Sequence, residues 1–439
     1  MKRALVLGAG LVAGPLVRYL LNVEAFRVTV ASRTVEKARR LIGGASNGAA
    51  LSLDVGDEGA LEALIADHDL SISLLPYVHH PLVARLCVKH RKQMVTTSYV
   101  KDEMRSLDDA AREAGVILLN EIGVDPGIDH MSAMRVIDRI AETGGRLVSF
   151  TSNTGGLPAP DANDNPFGYK FSWAPRGVIL AGKNPARYLA DGETVEVPGP
   201  ELFAHHWPCE VKGFGELEVY PNRDSLPYIE AYGISTVRSM FRGTLRYPGW
   251  CDTLKAIVDL GLLDESERDD LGGLTFARLT ARLIGSNGVD LKTDLSNHLG
   301  IPADAKPITD LEWLGLLGEE PLPEGATTHL DVVAQRMLSK MGYAPGERDM
   351  LVMQHEFVVE RPDREERITS TMVDYGIPNG DSSMSRLVGL PAAIAARLIL
   401  QGEIALTGVR TPVIPEIYEP VLAELATLGV SFRETVEAA

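Results

Sequence analysis

The sequence predicts an α/β protein in three parts: a doubly wound parallel-sheet domain, a second α/β domain built on a mixed sheet, and an all-helical insertion domain. Three observations carry this prediction. The chain opens on an apolar run, a glycine-rich turn and a helical segment. Strand and helix patterns then alternate up to about residue 125, as they do in a parallel sheet. From Arg146 onward the segments alternate apolar and polar residues, and from Trp250 to Met341 the spacing becomes helical.

The opening run, Ala4–Leu7, suits a buried strand. Gly8-Ala9-Gly10-Leu11-Val12-Ala13 follows as a Gly-x-Gly-x-x-Ala turn, and Val12–Leu21 reads as a helix. Gly8 permits the tight turn. Gly10 lets the backbone approach a pyrophosphate on the helix N-terminus, and Ala13 is small enough for close helix–strand packing. In this strand–turn–helix setting the motif marks a variant Rossmann dinucleotide-binding unit. Arg27–Ala31 is the second strand, and Ser32-Arg33-Thr34 follows it. A site for NAD would place an acidic residue there for the ribose hydroxyls. A guanidinium between two hydroxyls instead suits a 2′-phosphate, so the predicted cofactor is NADP.

Leu51–Val55 reads as a third strand. Asp54 at its end either sits beside the adenine or forms a turn before Gly56. Leu70–Leu75, Gln93–Tyr99 and Val116–Asn120 are the next three strands. Val35–Ile42, Glu58–Ile65, Pro81–Lys89 and Lys101–Ala114 are helices between them. Ligands of such sheets lie beyond the carboxyl ends of the strands. Leu75-Pro76-Tyr77, Thr97-Ser98-Tyr99 and Gly123-Val124-Asp125-Pro126-Gly127 fall at those ends and are expected to converge on the nicotinamide half of the cofactor.

In the second domain, Leu147–Asn153 is expected to be a short strand running into Gly155-Gly156. A rigid Pro158-Ala159-Pro160 corner and a polar turn ending on Tyr169-Lys170-Phe171 would follow. Such a loop is costly to order and must be held by something. Leu217–Tyr220, Tyr228–Tyr232, Val237–Tyr247, Leu351–Glu360 and Glu366–Asp374 are further β-type segments. Thr253–Gly261, Leu274–Ile284, Ile308–Leu317, Leu330–Met341 and Ser383–Gln401 read as helices. Val413–Val430 is expected to return to the first domain. The predicted domains are 1–125 with about 390–439, 126–248 with about 346–389, and the helical 249–345.

The composition, 45% hydrophobic and 23% charged, is that of a globular domain protein. A formal charge of −17 argues against nucleic acid or an anionic membrane as partner. No run of about 18 apolar residues is found, so no helix is expected to span a membrane. Cys87, Cys209 and Cys251 are scattered without metal spacing, which predicts no metal site, no disulfide framework and a reducing cytoplasm.

Longer motifs narrow the reading. They are Asn120-Glu-Ile-Gly-Val-Asp-Pro-Gly-Ile-Asp-His130, Gly155-Gly-Leu-Pro-Ala-Pro160, Asp164-Asn-Pro-Phe-Gly-Tyr-Lys-Phe-Ser-Trp173, Tyr220-Pro-Asn-Arg-Asp-Ser225, Arg242-Gly-Thr-Leu-Arg-Tyr247 and Val373-Asp-Tyr-Gly376. With the two N-terminal motifs, they resemble the saccharopine reductases, which are NADP-dependent, L-glutamate-forming saccharopine dehydrogenases, over nearly the whole chain. The resemblance implies that the second domain serves substrate binding and dimerisation, and that the protein is a homodimer. It implies condensation of α-aminoadipate semialdehyde with L-glutamate to an imine, reduction of that imine to saccharopine, and the reverse oxidation, in the α-aminoadipate pathway of lysine metabolism.

Residue by residue, the resemblance places the cofactor on Leu11, Val12, Ala13, Ser32, Arg33, Thr34, Asp54, Val55, Leu75, Thr97, Ser98, Val124, Asp125 and Gly127, beside Gly8 and Gly10. It places the substrate on Ser98, Tyr99, Asp125, Arg223, Thr244, Leu245 and Arg246. The chemistry agrees, because the three carboxylates of saccharopine call for guanidinium forks and Arg223 and Arg246 can supply them. The bland alternatives are interdomain salt bridges for the two arginines, a core aromatic for Tyr99 and a turn former for Asp125. Asp125 and Tyr99 are the candidates for proton transfer. His79, His80, His130, His205 and His206 are expected to be structural or exposed. Asn153-Thr154 departs from the Tyr-Cys pair common in the family and removes any thiol role there. Ala174-Pro175 departs from a serine-rich turn. Two other readings are a related NADP-dependent C–N dehydrogenase, such as carboxynorspermidine dehydrogenase, and a non-catalytic NADP-binding protein.

Overall fold

In a computed structural model the described residues are 1–172 and 175–438, and they form two compact units. Trp173 and Ala174, which end one of the long motifs and begin its departure, lie outside them. The first unit joins Met1–Gly145 to Gly380–Phe432. The second joins Arg146–Asn379 to the last residues from Arg433.

The first unit carries strands β1 (Lys2–Leu7), β2 (Phe26–Ser32), β3 (Gly48–Ser52), β4 (Leu70–Ser73), β5 (Gln93–Thr96) and β6 (Ile117–Leu119). Helices α1 (Ala13–Leu21), α2 (Val35–Ile42), α3 (Glu58–Asp67), α4 (His80–Lys89), α5 (Asp102–Arg105), α6 (Asp108–Ala114) and α7 (Ile128–Glu142) join or follow them. All neighbours in the sheet are parallel, in the order Gly408–Arg410, β6, β5, β4, β1, β2, β3. The chain winds from β1 to one edge and then crosses to β4. The β1/β4 boundary is therefore the topological switch point, where doubly wound sheets bind ligands. The apolar run Ala4–Leu7 is fully buried at the sheet centre, as its composition requires.

Several elements differ from expectation. The third strand is Gly48–Ser52, because β2 ends at Ser32 opposite Ser52, and after a last bond from Leu53 N to the Ser32 carbonyl the ladder has no further partner. The segment expected as one helix from Lys101 to Ala114 is two, with the Ser106 hydroxyl turned onto the Glu103 carbonyl at the break. One helix, Ser383–Gln401, is long and apolar enough to cross a membrane by length and composition, contrary to the expectation of none. It is 78% buried, and its alanines, Ala392, Ala393, Ala395 and Ala396, are inaccessible core. Gly389 lets this helix press on the nucleotide turn, since a Cβ there would stand 2.9 Å from the Val12 carbonyl oxygen. The helix Pro415–Thr427 also belongs to this unit, where Tyr418 bonds Asp138 of α7.

The second unit holds β7 (Arg146–Pro158), β8 (Ala186–Ala190), β9 (Glu193–Val197), β10 (Trp207–Val211), β11 (Gly215–Pro221), β12 (Ser239–Arg246), β13 (Asp349–Glu360) and β14 (Glu365–Tyr375). Its mixed sheet runs β10, β11, β12, β7, β13, β14 and then the closing strand Arg433–Ala438, with β8 and β9 attached at β12. Only β7 and β12 are parallel among these pairs. β7 does not stop at its glycines. It continues through Gly155-Gly156 to Pro158, because a residue without a Cβ is what β12 tolerates there: a Cβ on Gly155 would lie 2.7 Å from the Leu245 carbonyl oxygen. Tyr228–Tyr232, expected as strand, lies in a short helix, Pro227–Ala231. Proline in the first turn and the Asp224 carboxylate accepting from Leu226 N start it.

The costly loop is held by a core shared with the helices that follow. Phe167 and Tyr169 are buried, with Tyr169 4.7 Å from Trp250 and Phe167 5.8 Å from Trp313 by ring centroids. Buried Lys170 anchors it through Glu347 at 2.7 Å and Asp164 at 2.8 Å. A helix that the pattern did not reveal, Leu291–Leu299, starts on the Asp290 side chain, which accepts from Thr293 N.

Candidate functional site

The dinucleotide turn is built for an anion. Gly8 has φ 111° and a Cβ there would meet the Leu74 carbonyl oxygen at 3.0 Å, so the turn itself demands glycine. A Cβ on Gly10 would meet nothing within 4 Å. The protein has no packing need for glycine at position 10, and the open space is what a closely approaching phosphate requires. Helix α1 begins just beyond, with no side-chain cap on its N-terminal N–H groups and no acidic residue in its first turn. Uncapped N–H groups of this kind are the donors that an anion site uses. Ala13 is buried against the sheet, Val12 is half-buried, and Leu11 is exposed over the turn.

Ser32, Arg33 and Thr34 follow at the end of β2. Arg33 is exposed and forms no ion pair among the described residues, so its guanidinium is available to a phosphate. Asp54 makes the turn bond, accepting from Gly56 N at 2.9 Å, with Val55 half-buried beside it.

The three loops beyond β4, β5 and β6 do converge, and buried polar groups tie them. His80 bridges the end of β4 and the loop after β5, with Nδ1 2.9 Å from Ser73 Oγ and Nε2 2.8 Å from Ser98 Oγ. Burial, with a smaller push from the charge of His79, drives its imidazole down to about 4, so it is neutral near pH 7. Tyr99 donates its hydroxyl hydrogen bond to Asp125 Oδ1 at 3.1 Å. Asp125 precedes a cis proline, and Gly127 closes the loop at φ 149°, where a Cβ would fall 2.1 Å from the Gly123 oxygen. Leu75, Thr97 and Ser98 are half-buried and Val124 is buried around this knot. A cavity of about 400 Å³ opens beside it, lined by Tyr77, His80, Tyr99, Lys101 and Asn120 among others. His80 and His130 are structural, as expected, while Glu121, which organises the loops with them, was not singled out by the sequence reading. Glu121 and His130 stand nine residues apart in the long motif after β6 and bond each other, a signal available in the chain.

In the second unit, Arg246 is 5% exposed on β12. Its guanidinium lies 5.0 Å from the Tyr169 ring, 5.6 Å from Trp250 and 6.0 Å from Tyr220. Nη1 donates to the Leu245 carbonyl at 2.7 Å, Nε has no partner, and no carboxylate pairs with it among the described residues. Burial pushes the Tyr220 phenol up to about 12, against the pull of the Arg246 charge. Thr244 lies two residues away on the same strand face, in register with Thr154, whose buried hydroxyl is also unpartnered. Leu245 points to the other face, into a core with Leu157, Val219 and Val352, so its side chain is engaged in packing. Arg223 is exposed on the turn after β11 at φ 55°. The bland salt-bridge reading therefore fails for Arg246.

His206, Glu218 and Cys251 bring ligand-type atoms within 4.8 Å of one another. The Glu218 carboxylate is already engaged, accepting from Cys251 N at 2.6 Å and Gly249 N at 3.0 Å as the cap of the next helix.

Comparison with known proteins agrees with both halves. Residues 4–119 match the saccharopine dehydrogenase NADP binding domain, and residues 123–430 match the saccharopine dehydrogenase C-terminal domain. The chain is 41% identical to a saccharopine dehydrogenase [NADP(+), L-glutamate-forming] of Schizosaccharomyces pombe, covering 99% of each. It is 40% identical to the mitochondrial alpha-aminoadipic semialdehyde synthase of Bos taurus, covering 98% of this chain and 47% of that one. The solved apo saccharopine dehydrogenase (L-Glu forming) of Saccharomyces cerevisiae superposes over 100% of both chains, with a TM-score of 0.92 and 38% identity. The doubly wound sheet, the switch-point turn and these full-length matches make the chain a member of the saccharopine dehydrogenase family and an NADP-dependent oxidoreductase.

Proposed function

We propose that the chain forms saccharopine by reducing the imine of α-aminoadipate semialdehyde and L-glutamate, and catalyses the reverse oxidation. The observation that carries the substrate assignment is Arg246, a buried guanidinium with an aromatic frame and no carboxylate of its own among the described residues. A buried charge without a counterion is costly unless a ligand supplies one. A polycarboxylate does so.

NADP, when bound, supplies or accepts the hydride. Gly8, Gly10 and the N-terminus of α1 would hold its pyrophosphate, and Ser32, Arg33 and Thr34 its 2′-phosphate. Arg246 and Arg223 bind carboxylates of the substrate, with Thr244 and the Leu245 main chain beside them. Tyr99 and Asp125 share one hydrogen bond and act as the proton-handling pair for imine formation and its reversal. The same reading includes a homodimer, which rests on the family resemblance, and a cytoplasmic setting, which the three free cysteines support.

The test is saccharopine oxidation followed by NADPH absorbance. Wild type is expected to turn over saccharopine. Arg246→Lys is expected to lose about 10- to 150-fold in kcat/KM, the worth of about 1.5–3 kcal/mol for a charged hydrogen bond. Full activity in that variant would remove the substrate assignment.

A further inference from the structure

We propose that Glu121 and His130 are a positioning clasp that sets the geometry of the Tyr99–Asp125 pair. Glu121 follows β6 with φ 58°, a left-handed conformation uncommon for a residue with a Cβ, and is 7% exposed. Its N–H donates to the Ser98 carbonyl at 3.1 Å, and its Oε1 accepts from Val100 N at 2.8 Å. These two bonds grip the chain on either side of Tyr99. Its Oε2 stands 2.9 Å from Nε2 of His130.

His130 is 1% exposed in the first turn of α7. Its neighbour Asp129 accepts from Gly127 N at 2.6 Å and stands 3.9 Å from His130 Nδ1. Gly127 closes the loop that carries Asp125. One carboxylate thus fixes the Tyr99 loop directly and the Asp125 loop through His130 and the start of α7. An apolar pair would fill the same space with less desolvation cost, but it would leave Val100 N without its acceptor and the two loops without a common anchor. Both residues are buried and act through Tyr99 and Asp125, so they are positioning residues.

The catalytic consequence rests on the function proposed above, and the geometry does not. The experiment is a double-mutant cycle in the full chain, with Glu121→Gln, Tyr99→Phe and the double variant. Glutamine keeps an acceptor for Val100 N, so Glu121→Gln is expected to lose roughly tenfold in kcat/KM for saccharopine and Glu121→Ala clearly more. In the Tyr99→Phe background the Glu121→Gln effect is expected to vanish. His130→Asn serves as a second probe of the clasp if Glu121→Ala does not fold.

An activity-free arm uses protein labelled with ¹³Cζ-tyrosine, the Tyr99 signal being assigned by its loss in Tyr99→Phe. The ¹³Cζ resonance reports the hydrogen bond that the Tyr99 hydroxyl donates to Asp125. In Glu121→Gln and His130→Asn that resonance is expected to move from its wild-type position toward that of free tyrosine. Additive losses in the cycle, or an unmoved Tyr99 resonance, would overturn the clasp. If wild type does not oxidise saccharopine, the proposed function fails, and the Tyr99 resonance alone decides the clasp.

Discussion

Arg33 and His80 are two single residues of opposite character. Arg33 offers an exposed guanidinium that forms no ion pair among the described residues. Arg33→Ala is expected to weaken NADPH binding by about 1.5–3 kcal/mol and to leave NADH nearly unchanged, measured by fluorescence titration. Equal losses for both cofactors would refute a 2′-phosphate contact. His80 has the opposite character, being neutral and buried. Its folded value of about 4 lies below the ordinary 6.5, so the folded state disfavours the proton. Its contribution is complete above pH 6.5 and is lost as pH falls from 6.5 toward 4, up to about 3 kcal/mol. Urea titrations at pH 7 and 4.5 should show a smaller acid loss in His80→Gln than in wild type.

At the scale of elements, two glycines do different jobs. Gly155→Ala would drive a Cβ against the Leu245 backbone of β12 and is expected to cost about 1–3 kcal/mol in stability without changing cofactor affinity. Gly10→Ala meets no protein atom, so it should leave the melting temperature unchanged while weakening NADPH by roughly tenfold or more. A destabilised Gly10→Ala would mean that the turn, not the ligand, needs the glycine. The sequence made the nucleotide turn, β1, β2, β4–β6 and the Ser383–Gln401 helix legible because periodicity and turn chemistry agree there. It misplaced β7's end and Tyr228–Tyr232 because partners distant in the chain, β12 and the Asp224 turn, overrule local pattern. Arg246 was legible as a candidate. Its isolation from carboxylates was not, since that depends on which rings and strands fold around it.

At the scale of the molecule, each unit has its own sheet and core, so ligand binding can stabilise one by itself. Saturating NADP is expected to slow amide exchange chiefly in peptides from 1–145 and 380–432, with the largest change at the turn after β1. Uniform slowing across both units would speak against a cofactor site confined to the first.

The chain crosses between its two units three times, near residues 145, 380 and 432. On the ribosome, the first sheet must wait for its last strand, Gly408–Arg410, until nearly all of the second unit has emerged. The usual order, in which the N-terminal body finishes before the next one begins, is therefore closed to this protein. The nascent nucleotide fold stays an open half-product through most of translation, and the final tail returns to finish the body that came out in the middle.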